Sequence, residues 1–272
     1  MGKGWAKGLT KATDPRVARM AAAHTGMRYV RRTPPERCKW PHASRTTLPL
    51  EWSAEMAYLV GLTATDGCLG SRKRSITFKS ADRVLVEIYR DLLGRTNKIG
   101  EERTRAGNTV YRLQFGDAAL YDWLRGIGLM PRKSLVLGAI AVPPRFLRDL
   151  TRGLLDGDGS ILNYAYDGTG KAHGTYEALR TVFVSASWMH LSWLEGALRT
   201  ALGIRGSIGT HLPNGRRNPI FRLAYANSES ERLLRWMYAS LDIPCLPRKR
   251  EVWDRYRLRH ECASTLPSSS VR

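Results

Sequence analysis

Apolar and polar positions along this chain change their spacing in an order that is typical of alternating helices and strands. From Glu51 to about Thr65 the pattern is helical, whereas Ser75-Ile-Thr-Phe-Lys-Ser80 alternates polar and apolar positions, as a half-buried strand does. The predicted order is helix, two strands, helix, two strands, helix. After a short strand that begins near 68, the later elements are predicted at about 82–93, 98–105, 109–115 and 117–127.

The same order of elements begins again at about Pro144. A second helix ends at Asp158, and a later Asn214-Gly215 pair is a strong signal for a hairpin turn. The predicted strands of this copy are 161–166, 180–185, 207–211 and 220–225, and its later helices are 187–202 and 228–237.

Matching residues indicate that the two copies arose by internal duplication. Asp66 corresponds to Asp158, an offset of 92, and Met130-Pro-Arg-Lys133 corresponds to Leu246-Pro-Arg-Lys249, an offset of 116. The offset only grows along the chain, as loop insertions in a repeated domain would produce. We therefore divide the chain into a basic N-terminal arm (1–50), a first half (51–143), a second half (144–254) and a C-terminal tail (255–272).

The first helix of each copy ends in an acid followed by a glycine. Asp66 and Asp158 would lie at the negative end of the helix dipole, which costs about 0.3–1 kcal/mol each. Gly67 and Gly159 are predicted to be left-handed caps that end these helices. If the two helices pack side by side, the two carboxylates meet and need a cation or a shared proton.

Small residues on both acid-ended helices predict a close contact between them. Gly61 and Thr65 are four residues apart on one helix, and Gly153 and Gly157 are four apart on the other. Each glycine inside a helix costs about 0.8–1 kcal/mol relative to alanine. If the two backbones pack closely, the glycines are needed and their cost is explained. If the glycines are merely tolerated, the cost has no explanation.

The composition identifies the kind of partner. The chain has 44 Lys and Arg residues against 24 Asp and Glu, a net charge of +20, which favours a polyanion and above all nucleic acid. No apolar run approaches the ~18 residues of a membrane span.

The four cysteines form no C-x-x-C pair, so we expect thiols in a reducing intracellular environment, whether cytoplasm, nucleoid or an organelle. The basic arm is either a disordered tail or a segment that follows the DNA backbone.

Two segments of the sequence resemble a known motif. Leu59-Val-Gly-Leu-Thr-Ala-Thr-Asp-Gly67 and Thr151-Arg-Gly-Leu-Leu-Asp-Gly-Asp-Gly159 resemble the two copies of the motif that names the LAGLIDADG homing endonucleases. The resemblance extends over about 51–254. It implies an α+β fold of two pseudo-symmetric αββαββα halves, with the motif helices at the interface and two antiparallel sheets that form a saddle over DNA.

The resemblance also implies roles for particular residues. The penultimate acid of each motif is the family's metal-binding residue, and basic residues surround the active sites. The implied catalytic residues are Asp66, Asp158, Lys79, Lys133 and Lys249. The residues implied to surround Mg²⁺, the expected cofactor, are Asp66, Asp158, Gly67 and Gly159.

Three departures from the family pattern make the two copies unequal. The sixth motif position is acidic at Asp156 but is Ala64 in the first copy, and Thr63 stands where an aliphatic residue is usual. The second half has Val184 at the position that corresponds to Lys79. Both metal positions stay acidic, but we expect the two sites to differ.

The chemistry of these residues fits phosphodiester hydrolysis independently of the family. Paired carboxylates that hold Mg²⁺ stabilise charge at the phosphate and activate water, and nearby lysines stabilise the developing negative charge. Arg and Gln side chains on the polar strand faces are suited to reading base edges in the major groove. The predicted DNA-binding residues are Arg72, Lys73, Arg74, Thr77, Lys79, Arg103, Arg105, Arg112, Gln114, Asn214, Arg216, Arg217 and Arg222.

The function predicted from the sequence is a monomeric, Mg²⁺-dependent endonuclease that cleaves double-stranded DNA at a long specific site. One alternative is a protein of the same fold that has lost cleavage, either a DNA-binding regulator or an RNA maturase. Another is a structural nucleoid protein that binds through charge alone, which would show steep salt dependence but no preferred sequence.

Overall fold

The computed structural model describes residues 46–104, 106–167, 174–212 and 218–265, with side chains up to 261, and the isolated residues 12, 13, 15 and 18. The sequence also predicts a helix from Asp14, as N-cap, to about Ala23, of which only residues 15 and 18 are described. The Pro-rich basic segment at 31–41, which is predicted to be extended, lies outside the described residues. No helix in the described part of the chain is long and apolar enough to span a membrane.

The first half has the predicted order of elements. Its four strands form one antiparallel sheet in the order β1-β2-β4-β3, and helices cover the apolar face of that sheet. The elements are α1 (Ala54–Thr65), β1 (Gly67–Leu69), β2 (Ser75–Ser80), α2 (Arg83–Leu92), β3 (Gly100–Arg103), β4 (Thr109–Gly116) and α3 (Ala118–Gly126).

The second half repeats this architecture with a longer first hairpin. Its sheet has the equivalent order, β5-β6-β8-β7. The elements are α4 (Leu147–Asp158), β5 (Ser160–Asp167), β6 (Thr175–Ser185), α5 (Trp188–Leu202), β7 (Ser207–His211), β8 (Ile220–Ala226) and α6 (Asn227–Met237). The α+β fold with two αββαββα halves is therefore confirmed.

A further helix, α7 (Pro247–Thr265), was not predicted and extends into the segment that we expect to be a tail. It packs against β5, and Trp253 is 1% exposed in the core. Its Arg259 and His260 side chains contact Glu177 on β6. Few of its positions are apolar, so the periodicity of the sequence does not reveal it.

Local capping explains where several helices begin. The Ser53 hydroxyl accepts a hydrogen bond from the backbone N–H of Met56, and the Asp117 carboxylate accepts one from that of Leu120, each at 3.1 Å. Such caps satisfy N–H groups that have no partner within the helix. Asp82 precedes α2 in the same way, but its side chain makes no capping bond. Its carboxylate instead accepts hydrogen bonds from the second half of the chain.

The two motif helices, α1 and α4, meet backbone to backbone, as the small residues predict. A Cβ atom added to Gly153 would overlap with the Tyr58 carbonyl oxygen and lie 3.0 Å from the Cα atom of Gly61. A Cβ atom on Gly157 would overlap with the Thr65 side chain. The glycines are thus required by the contact between the helices.

The prediction of left-handed caps at Gly67 and Gly159 was wrong. Gly159 has extended backbone, with φ −85° and ψ 179°, and Gly67 is not among the residues with positive φ. Glycine is needed for space instead. A Cβ atom on Gly67 would lie 2.6 Å from Thr63 O, and one on Gly159 would lie 2.8 Å from Leu155 O.

Candidate active site and DNA-facing surface

Asp66 and Asp158 lie at neighbouring ends of the paired motif helices. Asp66 is half-buried, whereas the Asp158 side chain is exposed. Protein atoms nevertheless surround much of the Asp158 carboxylate and limit its hydration. Loss of water around the Asp66 carboxylate, reinforced by the charge of Asp158, raises its pKa to about 7. Restricted hydration also raises the pKa of Asp158. The site therefore disfavours two bare negative charges, which a bound cation would stabilise.

Two buried lysines cap the motif helices in equivalent ways. Lys133, 7% exposed, donates hydrogen bonds to the carbonyl oxygens of Thr65 and Gly67. Lys249, 4% exposed, donates to the carbonyls of Leu155, Asp156 and Gly157 at 2.7, 2.8 and 3.1 Å. A cation at a helix C-terminus stabilises the negative end of the dipole, and it offsets the unfavourable position of each acid.

The charge of each lysine also acts on the acids. Burial lowers the pKa of Lys133, and it lowers the pKa of Lys249 to about 8. In return, the two ammonium groups oppose the rise in the pKa of Asp66 and Asp158. The lysines therefore help to keep both carboxylates ionised in a poorly hydrated site.

Lys79 has different surroundings from the two buried lysines. It lies on β2 with an exposed side chain, and its ammonium group is 2.7 Å from the Glu102 carboxylate, which also binds Arg112 at 2.7 Å. Lys79 and Asp66 line one open groove of about 620 Å³, together with Asp82, Glu102 and Arg248. We call this groove the first site.

Asp158 lines a smaller and more apolar recess, which we call the second site. The recess has a volume of about 30 Å³, and its lining includes Val184, His190 and Leu191. The His190 ring is largely buried, and Nδ1 donates a hydrogen bond to the Gly138 carbonyl at 2.9 Å. Burial also lowers the pKa of His190. Because its ring is neutral and hydrogen-bonded to Gly138, His190 adds no positive charge beside Asp158.

The donors at the helix ends fit a magnesium ion better than a metal with a full set of protein ligands. No group of three or more His, Cys, Asp or Glu side chains converges among the described residues. Mg²⁺ keeps several waters and is bound through one or two carboxylates plus substrate phosphate. Asp66 and Asp158 can supply that pair, while the Gly67 carbonyl already accepts a hydrogen bond from Lys133.

Asp156, the acid that only the second motif has, is buried and hydrogen-bonded within the protein. Asp156 is 1% exposed, and its carboxylate accepts hydrogen bonds from the Tyr58 hydroxyl at 2.9 Å and the Leu246 N–H at 2.8 Å. Burial raises the pKa of Asp156 to about 6. By binding Leu246, Asp156 anchors the segment that carries Lys249. The first half has Ala64 at the equivalent position and positions Lys133 without such an anchor.

The sheet faces agree with the predicted alternation. Ile76 and Phe78 on β2 are fully buried, as is Leu113 on β4. Thr77 pairs with Gln114 and Lys79 with Arg112 on the opposite face. Arg72, Lys73 and Arg74 are exposed in the preceding turn, Arg103 is exposed at the end of β3, and Arg222 is exposed on β8. The predicted residues Arg105, Asn214, Arg216 and Arg217 lie outside the described part of the chain.

Three tyrosines on the polar face of the second sheet were missed from the sequence. Tyr164, Tyr166 and Tyr176 are 42%, 48% and 42% exposed. The Tyr166 and Tyr176 rings stack with centroids 5.8 Å apart. The strand register places all three on the same face as Arg180 and Arg222. The alternation in β5 could have revealed Tyr164 and Tyr166, whereas the early start of β6 that carries Tyr176 was not predicted.

Comparisons with known proteins identify the fold. Residues 53–127 match the family model of the LAGLIDADG-like domain. The structure is similar to the I-LtrWI LAGLIDADG homing endonuclease bound to target DNA, with a TM-score of 0.51, 10% identity, and coverage of 78% of this chain and 91% of that chain. It is also similar to the I-SmaMI LAGLIDADG homing endonuclease bound to cleaved DNA, with a TM-score of 0.51, 12% identity, and coverage of 80% and 93%. No curated protein matches the sequence.

The predicted family resemblance is thereby confirmed. Residues 53–127, in the first half, match the LAGLIDADG-like domain, and the described part of the chain has the two-domain fold of LAGLIDADG homing endonucleases. At these low identities the structural likeness defines the fold. The roles of individual residues stay predictions.

Proposed function

We propose that this protein is a monomeric, Mg²⁺-dependent endonuclease that cleaves both strands of DNA at a long specific site. The observation that carries the proposal is the pair of acids, Asp66 and Asp158, at adjoining helix ends that Lys133 and Lys249 cap. A half-buried carboxylate beside a second acid is unfavourable without a function that uses the two charges. Both motifs lie in one chain, so one copy of the protein supplies both sites.

The acids would hold the divalent cation, with the Gly67 and Gly159 backbone beside them. When bound, that cation supplies charge neutralisation at the phosphate and a water of lowered pKa. Lys133 and Lys249 hold the helix ends in place and oppose protonation of the carboxylates. Lys79, in the groove beside Asp66, is placed to contact a phosphate oxygen when DNA displaces Glu102 from its ammonium group.

The polar faces of the two sheets would bind the DNA duplex. In the first half, Arg112 and Gln114 extend from β4, and the basic turn at 72–74 provides phosphate contacts. In the second half, exposed tyrosines and Arg222 occupy the equivalent face. The net charge of +20 supports this partner. The structures of the similar endonucleases I-LtrWI and I-SmaMI are of complexes with DNA.

One observation favours the second candidate, a DNA-binding protein of the same fold without double-strand cleavage. Val184 replaces the lysine of the first half, and apolar side chains line the recess beside Asp158. A protein in which neither site is active would be a DNA-binding regulator or an RNA maturase.

A cleavage selection tests the nuclease function. A randomised duplex library is incubated with the purified protein and Mg²⁺, and the cleaved ends are captured and sequenced. The recovered site is then cloned into a supercoiled plasmid. We expect linear product with Mg²⁺ and none with EDTA. A protein that enriches a bound sequence but never cuts it would establish the second candidate instead.

Substitution of the acids tests their role in the same assay. Asp66→Asn and Asp158→Asn should each abolish linearisation, while DNA binding stays within about threefold because repulsion between the carboxylates is relieved. Asp91→Asn, at an exposed acid of α2, is the matched control and should cleave normally. Loss of binding in both active-site variants would mean that the acids are structural.

A further inference from the structure

The surroundings of Asp66 and Asp158 can be compared position by position, because the strands of the two sheets pair in equivalent registers. Arg112 pairs with Lys79 on β2, and Arg222 pairs with Val184 on β6. Across the outer strands, Arg112 pairs with Gly100 and Arg222 with Gly209. Lys79 and Val184 are therefore equivalent positions. Two residues further along the outer strands, Glu102 is equivalent to His211.

The turn before the second helix of each half supplies another pair of equivalent positions. The Ser80 hydroxyl accepts a hydrogen bond from the Asp82 N–H at 3.2 Å, and the Ser185 hydroxyl accepts one from the Ser187 N–H at 3.1 Å. The backbone makes the same turn in both halves, so Asp82 and Ser187 occupy the same place in the fold.

Asp82 and Ser187 both reach across to the opposite half but bind different groups. Arg248, from the second half, donates from Nε and Nη2 to the two Asp82 oxygens at 2.9 and 2.7 Å. Ser187 instead donates to the Leu137 carbonyl at 2.6 Å. Arg132, the counterpart of Arg248 in the repeated Pro-Arg-Lys segment, forms no ion pair with any residue that the structure describes.

The position of Arg248 suits it to bind phosphate. Its side chain is 59% exposed and lines the groove that contains Asp66 and Lys79. Asp82 engages two of the five N–H donors of the guanidinium, so three stay available to another acceptor. A guanidinium held at one edge by a carboxylate is preorganised, and its fork geometry matches phosphate oxygens.

We propose that Arg248 is a phosphate-binding residue of the first site, supplied by the opposite half of the chain, and that the first site therefore cleaves its strand faster than the second. The inference rests on the proposed endonuclease function. The first site has Lys79 and Arg248 beside its acid. The second has Val184 in place of Lys79, and Arg132, the counterpart of Arg248, is not among the residues that line its recess. The product that accumulates early is nicked DNA with the same strand cut in every molecule.

Strand-resolved kinetics test this order of cleavage. The duplex recovered from the library is labelled with a different dye on each strand, and both cleavage rates are followed at saturating protein with Mg²⁺. We expect one strand to be cut at least about tenfold faster, which is equivalent to about 1.4 kcal/mol. Equal rates for the two strands would overturn the inference while leaving the endonuclease function intact. Failure to cut either strand would overturn the proposed function, and the inference with it.

Arg248→Ala identifies the site to which Arg248 belongs. It should slow the fast strand about 10- to 100-fold, the range expected for losing a charged hydrogen bond, and leave the slow strand within about threefold. Lys79→Ala should slow the same strand. Arg248→Lys, which keeps the charge but loses the fork, should fall between Arg248→Ala and the wild type.

Arg132→Ala is the matched control, because it removes the equivalent arginine of the other half. It should leave the fast strand unchanged. A general effect of Arg248→Ala on folding would slow both strands together, and that result, or an equal effect of Arg132→Ala on the fast strand, would contradict the proposal. Conversely, Val184→Lys should accelerate the slow strand, because it restores a cation to the second site.

Discussion

The two halves of this molecule share a scaffold but differ in the side chains that line the two candidate sites and the polar faces of the sheets. The shared features are backbone contacts: the glycine contact between α1 and α4, the serine turn before α2 and α5, and the lysine at each helix end. The differences are side chains such as Lys79 and Val184, whose exchange leaves the backbone pairing intact. The duplicated fold therefore constrains the geometry of both sites and leaves their chemistry free to diverge.

Addition of a methyl group at the helix contact should have the largest effect on stability. Gly61→Ala and Gly153→Ala each place a Cβ atom against the backbone of the other helix, which cannot move away locally. We expect each to lower the free energy of unfolding by about 3 kcal/mol or more. Urea denaturation of both variants measures this. A small effect in one variant only would show that the contact is less symmetric than the structure indicates.

Gly196 in α5 provides the control for those variants. No atom lies within 4 Å of a Cβ added there. Gly196→Ala should therefore raise the free energy of unfolding by about 0.5–1 kcal/mol through helix propensity alone.

Asp156 and Ala64 should respond in a way that reflects their unequal surroundings. Asp156→Ala leaves the Leu246 N–H and the Tyr58 hydroxyl without their acceptor, and we expect a loss of about 2 kcal/mol of stability. Ala64→Asp places a carboxylate beside Leu137 and Leu154, which should cost about 3 kcal/mol or more. The same denaturation assay measures both. If Ala64→Asp is tolerated, the two motif positions are interchangeable after all.

The pH dependence of stability should reveal the raised pKa of Asp66, which lies beside Asp158. The pKa of Asp66 is about 7 in the folded protein against an ordinary value of 3.8, so the unfolded chain binds fewer protons than the folded one between these values. The contribution of Asp66 to stability is thus present below about pH 4 and is lost as the pH rises through 7. Thermal unfolding at pH 5 and pH 8 should show that Asp66→Asn stabilises the protein more at pH 8. An equal gain at both pH values would contradict the raised pKa.

The first hairpins of the two halves should differ in the salt dependence of DNA binding, the smallest effect that we predict. Alanine at Arg72, Lys73 or Arg74 should reduce the slope of log K against log salt by about 0.9 for each phosphate that the side chain neutralises. Alanine at Tyr164, Tyr166 or Tyr176 should weaken binding by roughly 1 kcal/mol per ring, the scale of an aromatic interaction, with the slope unchanged. Anisotropy titrations of the selected duplex at several salt concentrations separate the two. A change of slope in the tyrosine variants would mean that they act through phosphate.

The sequence reveals much of the fold because its periodicity is strong where one face of an element is buried. The alternation in Ser75–Ser80 predicted β2 with its observed bounds. The four-residue spacing of small residues, Gly61 with Thr65 and Gly153 with Gly157, predicted the helix contact. Helix α7 escaped prediction because its burial depends on β5 and Glu177, about 80 residues earlier in the chain. No local pattern encodes such a contact.

The candidate active site is predictable only in part for the same reason. Asp66 and Asp158 are conspicuous because an acid at a helix C-terminus is locally unfavourable. Lys133 and Lys249 came from family resemblance alone, since a lysine is rarely buried and nothing near it in sequence indicates its carbonyl partners. The bond between Asp82 and Arg248 joins residues 166 positions apart, so only the packed halves reveal it.

The lysine caps also determine when the site can form during folding. The bond from Lys133 to Gly67 closes a loop of 66 residues, and the bonds from Lys249 to α4 close loops of 92 to 94. Contacts of such long range form only after the intervening chain has been ordered, because the entropy of loop closure must be overcome first. We therefore expect the capped helix ends to assemble late in the folding of each half. An incompletely folded chain would carry the acids without the lysines that oppose their protonation, so the proposed cleavage activity would require the finished fold.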